Sequence, residues 1–339
     1  MTTVRVLTSD VAPATGWDTV TLMAELLADV LEAELVRIPV QWATGRSARA
    51  ASLLRRRRGS DITVVIAPDP GRLYDVAHWR GLLHPSAVTV GWVIDSFWTD
   101  RIPRVAGTHF DHLFVTDTEV VEEWRAATGV PVTCLPFGAD VLRRGSSRHE
   151  RTVDVQRVGR QPAAWEVDDR TTAEAAGRGL VMRGRVPFGT SADGNQRHLM
   201  AAMADTKFTL SFSNAVSPAP YTHPTREYLT GRWTDALASG AVVAGVPPDC
   251  AVAAELLWPG ATLHLPPEDL HAGLAILEDA ANAWSPAQAE RNHAMALRRL
   301  DWRWRFAQLA EIVGVQTPTL RRELESLSGS IDASAGALD

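Results

Sequence analysis

Short apolar runs alternate with longer amphipathic stretches along this chain. Val4–Thr8, Glu34–Val40, Asp61–Ala67, Ala87–Ile94, His112–Thr116 and Val132–Pro136 are rich in aliphatic residues and bounded by polar or turn-forming ones. Runs of that kind read as strands buried on both faces. Between them, Asp18–Glu32, Ser47–Arg58 and Glu119–Thr128 carry apolar residues at helical spacing, the last closed by Gly129. Strands alternating with helices predict βαβ units and a parallel sheet.

A polar, patternless stretch, Arg143–Arg151, interrupts the alternation and reads as a linker. The pattern then restarts. Strands are predicted from Val153, at Leu180–Arg183, at Phe208–Phe212, at Ala241–Val246 and at Ala261–Leu265. Helices are predicted over Thr171–Arg178, Gln196–Met203, Thr230–Ser239, Ala251–Leu256, Pro267–Ala281 and Pro286–Leu300. Asp301–Val313 begins with aromatics and ends amphipathic. The tail 316–339 bears Ser, Gly and Asp with little aromatic content and is expected to be disordered, above all past Leu327. Two domains are therefore expected, 1–145 and 152–300, followed by a helix over 301–315 and the tail.

Composition narrows the class. A length of 339 residues suits about two domains, each able to bury its own core. A net charge of −6 argues against nucleic acid as a main partner. Of 34 basic residues only Lys207 is lysine, which fits the coding bias of a GC-rich, bacterial genome. The arginine run ending Ser47–Arg58 reads as a solvated helix end whose cations suit the dipole. The two cysteines, Cys134 and Cys250, lie in or beside apolar runs and read as buried thiols of a reducing compartment. No signal-peptide pattern opens the chain, and no apolar run reaches the roughly 18 residues of a membrane span. A cytoplasmic protein, monomer or homodimer, is expected.

The densest chemistry falls in Tyr221–Pro247. A polar loop through Glu227 leads into the helix Thr230–Ser239, with Thr230 as N-cap and Gly240 as stop, and then into the strand Ala241–Val246. Arg232 and Asp235, three apart, are expected to share a helix face. The first turn of such a helix favours an anion, phosphate above all. A carboxylate one turn further in can accept from ribose hydroxyls, and one before the helix from hydroxyls beyond the phosphates. A sugar carried on a nucleoside diphosphate would suit that site. His223 is read either as a donor contact or as a loop histidine bonded to backbone. Asp95 follows a strand at its carboxyl end, where ligands of open α/β sheets bind, and is read as a base for an acceptor hydroxyl or as a cap for the next turn.

Glu227, seven residues, Asp235 and then ALASG resembles the donor-site signature of retaining GT-B glycosyltransferases, Glu-x7-Glu followed by small residues, with Asp in place of the second Glu. Arg232 through Gly240 also resembles the Arg-x-x-Glu-Ala-Leu-Ala-x-Gly run of the spore-protein-like members. Leu135–Asp140 resembles the phrase that closes their N-terminal domain, and Val153–Arg160 the strand and Val-Gly-Arg turn that open the donor domain. The resemblance implies an α/β fold with two Rossmann-like domains whose parallel sheets face each other across a cleft. It implies transfer of a sugar from a nucleoside-diphosphate donor to an acceptor hydroxyl or amine, with retention, no cofactor and no metal. A natural-product or cell-envelope glycoside is the expected setting. A nucleotide-sugar epimerase or hydrolase, or a non-catalytic nucleotide-sugar-binding protein, is the alternative.

Site residues follow from the same resemblance. Glu227, Arg232 and Asp95 are the expected catalytic set. Gly159, Arg160, Asp235, Tyr228, Leu229, Thr230, His223 and Phe188 are expected at the donor, Phe188 from a loop that walls the nucleobase. Gly16, Trp17, Asp18 and Trp98 are expected at the acceptor. The family's lysine after the Val-Gly-Arg turn is missing, which leaves phosphate charge to Arg160, Arg232 and Arg226. The last helix of the family crosses back to the first domain, so Trp302 and Trp304 are expected to be buried.

Overall fold

The computed structural model describes residues 3–10, 16–39, 61–73, 86–103 and 109–334. The helix expected over Ser47–Arg58 lies outside them. The elements, in chain order, are β1 Val4–Asp10, α1 Asp18–Val30, β2 Glu34–Pro39, β3 Ile62–Ala67, β4 Val88–Val93, β5 His112–Val115, α2 Val121–Thr128 and β6 Val132–Cys134. There follow α3 Val141–Arg144, β7 Val153–Arg157, α4 Asp168–Ala176, β8 Met182–Arg183, α5 Ala192–Ala204, β9 Thr206–Leu210, α6 Gly231–Ala238, β10 Val242–Gly245, α7 Ala251–Leu256 and β11 Thr262–His264. Four helices complete the chain: α8 Leu270–Ala283, α9 Pro286–Arg299, α10 Trp302–Val313 and α11 Pro318–Ala333.

The alternation builds an α/β protein with two wholly parallel sheets, as the pattern predicts. The first has order β2-β1-β3-β4-β5-β6 and the second β11-β10-β9-β7-β8. Strands of a parallel sheet are covered on both faces, and here every residue of β3 is buried. Two compact units result. One comprises Met1–Pro136, Thr190–Asp193 and Arg303–Glu325; the other Phe137–Gly189, Gly194–Trp302 and Ser326–Asp339.

In the first unit, odd-numbered positions of adjacent strands, Leu7, Val65, Val93 and Val115, pack with Trp124 into one core. The tail departs from expectation. Pro318–Ala333 is helical, not disordered. Thr317 caps it, its hydroxyl accepting from Leu320 N at 3.1 Å and donating to Val30 O at 2.5 Å. Leu320 is buried, and so is Leu327, which falls in the second unit's closing segment.

In the second unit, Trp165, Phe208, Leu210, Phe212, Val242 and Leu274 form the core. The patternless stretch is not a slack linker either. Arg151 is buried and donates to Arg148 O, Met203 O, Thr206 O and Ser239 O at 3.0, 3.0, 2.6 and 2.8 Å. It thereby satisfies carbonyls at the carboxyl ends of α5 and α6, where a cation also suits the helix dipole. Trp302 is buried edge-on against Phe137, centroids 5.0 Å apart, while Trp304 is only partly buried. Cys250 is buried, but Cys134 only partly so. No helix among the described residues is long and apolar enough to cross a membrane.

Candidate functional site

In the second sheet the chain steps from β7 outward to β8, then returns past β7 to β9, β10 and β11. The order reverses between β7 and β9, and in open parallel sheets the crevice for a ligand opens there, beyond the strands' carboxyl ends. Gln161 fixes those two ends, its amide donating to Val158 O and Leu210 O at 3.2 Å each. Gly159 turns the chain with φ at 72°, a conformation that costs glycine little. It also permits close approach: a Cβ at Gly159 would lie 2.6 Å from Cδ of Arg232. The Val-Gly-Arg turn and α6 therefore meet at this point.

Two arginines converge there. Arg160 donates from Nε to Ser217 O at 3.1 Å and from Nη1 to the Tyr221 hydroxyl at 2.7 Å. Its guanidinium also lies 4.8 Å from the centroid of the Tyr221 ring. Tyr221 itself is 66% exposed. Arg232 Nη1 is buried and has no hydrogen-bond partner among the described residues. Burial first, and then Arg160, hold the Arg232 guanidinium down at about 10, against Tyr228 and Tyr221. It stays charged at neutral pH. Neither arginine forms an ion pair with a carboxylate among the described residues. Two cations held side by side in a partly desolvated site cost on the order of several kcal/mol unless an anion joins them.

The helix end adds to that field. Thr230 occupies the N-cap position of α6, but its side chain makes no cap bond, and its buried Oγ1 has no partner among the described residues. The first turn is thus left uncapped by its own threonine and carries the helix's partial positive charge. Gly240 ends the helix with φ at 77°, as its place in the sequence predicts.

Glu227 lies before this helix. Its Oε2 accepts from the backbone N–H of Asp249 at 2.8 Å, while Oε1 is buried with no partner among the described residues. A carboxylate oxygen held and left open in this way can accept a ligand hydroxyl. Asn214 braces the same loop, donating to Arg226 O at 2.8 Å. His223 accepts at Nδ1 from Thr225 N and Arg226 N, at 3.2 and 3.0 Å, the backbone-bonded reading of that residue.

Asp235 departs from expectation. Arg232, three residues earlier, lies against Gly159. Asp235 is 3% exposed, and its Oδ2 accepts from Gln196 Nε2 at 2.9 Å. Burial drives its carboxyl up to about 7, with Asp140 pushing the same way and Gln196 and Arg144 opposing. A buried carboxyl already engaged by an amide is poorly placed for ribose. Leu229 is buried, so only its backbone can serve a ligand. Tyr228 is partly buried beside Arg232. Phe188 is 63% exposed on the loop after β8. That loop is pinned by Gly189 N donating to Asn195 Oδ1 and by Gln156 donating to Gly184 O.

In the first unit, Ala67 pairs with Val93 at the ends of β3 and β4. The ladder continues past them, with Asp95 N donating to Pro68 O at 2.7 Å. Burial, and secondly Asp69, raise the Asp95 carboxyl well above its usual range. Trp98 is buried and covered by the Arg101 guanidinium, 3.5 Å from its ring centroid, so its face is occupied. Gly16 is exposed, Trp17 partly exposed, and Asp18 buried at the start of α1.

Tyr221, Ser217, Gln196 and Arg151 escaped the sequence-derived set. Each acts through a partner between 39 and 88 positions away, so no local spacing marks it.

No protein-family model matches this chain, and no curated protein does. Among solved structures, it is similar to the apo form of the lipopolysaccharide outer core galactosyltransferase WaaB at 9% identity, over 91% of this chain and 98% of that one, with a TM-score of 0.46. It is also similar to TarM at 8% identity, over 78% of this chain and 57% of that one, with a TM-score of 0.48.

Proposed function

We propose that the chain is a GT-B-type glycosyltransferase that binds a nucleoside-diphosphate sugar in its second unit and passes the sugar to an acceptor hydroxyl or amine. One observation carries this reading. Arg160 and Arg232 converge at the point where the strand order reverses, beside a helix N-terminus that Thr230 leaves uncapped, and among the described residues no carboxylate pairs with either. A diphosphate supplies the missing charge and accepts in two places at once. When the glycosidic bond breaks, negative charge grows on that diphosphate, so the same two cations and helix end lower the barrier. Glu227 Oε1 is the acceptor offered to a sugar hydroxyl. Phe188 and the pinned loop after β8 are the surface offered to the base. Retention of configuration and independence of metal follow from the motif resemblance and belong to the same proposal. Asp95, in the other unit, is the residue proposed to act on the acceptor.

Incubation with a panel of nucleoside-diphosphate sugars and small glycoside acceptors tests the reading. Release of nucleoside diphosphate that depends on acceptor, with one anomer formed, supports transfer. Equal release without acceptor means hydrolysis, and sugar isomerisation without release means epimerisation. Either result replaces the transferase reading.

A further inference from the structure

Asp235, the second acidic residue of the motif, is buried against α5. Asp235 lies one turn inside α6, whose first turn and Arg232 form the anion site. Its carboxylate is held from below by Gln196 of α5, at 2.9 Å. The neighbouring residue Asn195 takes the N–H of Gly189, so α5 also holds the loop that carries Phe188. A Cβ at Gly231, the first residue of α6, would lie 3.5 Å from Asp235 Oδ2. The carboxylate therefore sits directly under the helix's open end.

We propose that Asp235 is a positioning residue: with Gln196 it latches α6 to α5, and its negative charge, when present, opposes the diphosphate at the same helix end, so that donor affinity falls as the medium becomes more alkaline. The inference rests on the diphosphate reading of the site. Burial supports it by bringing Asp235 to titrate at about 7. The charged and titratable groups around it are few. Asp140 and Arg144, paired at 3.6 Å, face it from α3 and its N-terminal flank. On α6 itself, Arg232 lies against Gly159. His293 of α9 and Arg151 contact the far end of the helix, at Ala238 O and Ser239 O, 3.0 and 2.8 Å away.

The test is calorimetric titration of inorganic pyrophosphate into the wild-type chain, Asp235→Asn and Gln196→Ala, between pH 5.5 and 8.5. The asparagine keeps the shape and can bond Gln196 but cannot ionise. Comparing wild type with variant at each pH removes the ligand's own ionisation. The ratio of wild-type to Asp235→Asn dissociation constants is expected near one at the acid end, rising roughly two- to fivefold above pH 7, the range of a charge acting on a helix end. Gln196→Ala is expected to weaken binding at every pH. A flat ratio overturns the inference. Absence of pyrophosphate binding by either protein overturns the diphosphate reading instead, and melting curves keep the two failures apart. A carboxyl raised in the folded state keeps its proton there while the unfolded chain loses it. Wild type should thus lose stability relative to Asp235→Asn from about pH 4 to about 7. Parallel melting temperatures across that window would show that Asp235 carries no such charge.

Discussion

Among the described residues, Arg160 and Arg232 have no carboxylate partner, and that sets them apart as site candidates. Arg157, one strand position before the turn, is 1% exposed and pairs with Glu166 at 2.7 Å and with Asp168. Arg160, three residues on, is left to a tyrosine and a carbonyl. We expect Arg160→Gln and Arg232→Gln each to weaken nucleoside-diphosphate binding about 10- to 100-fold, the worth of a charge-assisted bond, with a smaller effect on melting. Unchanged affinity in either variant would place the anion elsewhere. Gly159→Ala strains a left-handed turn by about 1–2 kcal/mol and drives Arg232 from its seat. Binding should therefore fall further than stability, as calorimetry and denaturant unfolding would show together. As candidates, Glu227, Arg232 and Arg160 stand out in the sequence because spacing and turn chemistry are local. The bond between Asp235 and Gln196 does not, because its two partners are 39 positions apart and nothing near the helix names it.

Secondary elements were read well where periodicity is strong and poorly where a single buried contact decides. Among the described residues, the predicted strands and helices of both sheets fall within a few residues of their bounds, since apolar runs and helix stops such as Gly129 and Gly240 are written locally. Two segments went the other way. Arg143–Arg151 looked like linker because its residues are polar, yet Arg151 is the buried tie between α5 and α6. Pro318–Ala333 looked disordered because its composition is polar, yet a Thr-Pro start and two buried leucines seven apart fix it as a helix. We expect Arg151→Ala to orphan the carbonyls of Met203, Thr206 and Ser239 and to cost about 3 kcal/mol at about one per lost bond. Guanidinium unfolding followed by tryptophan fluorescence would measure it. A change below about 1 kcal/mol would mean that the surrounding structure supplies other donors.

At the scale of the whole molecule, each unit carries its own parallel sheet and its own core, and only the second holds the converging arginines. The segment Arg303–Glu325 completes the first unit, where Arg303 pairs with Glu323 at 2.5 Å and Phe306 meets Trp92 edge-on at 6.2 Å. Truncation after Val315 removes Thr317, Leu320 and Leu327 and should lower the melting temperature by several degrees, read by calorimetry. No loss on truncation would make α11 an ornament of the fold. The proposed activity turns on a diphosphate held at the reversal point of the second sheet. The most direct test is isothermal titration of ADP, GDP, UDP and TDP into the wild-type chain and into the Arg160→Gln/Arg232→Gln double variant. We predict saturable one-to-one binding of at least one nucleotide by the wild type and none by the variant at the same concentrations. Binding of equal strength by both proteins, or by neither, would contradict the site.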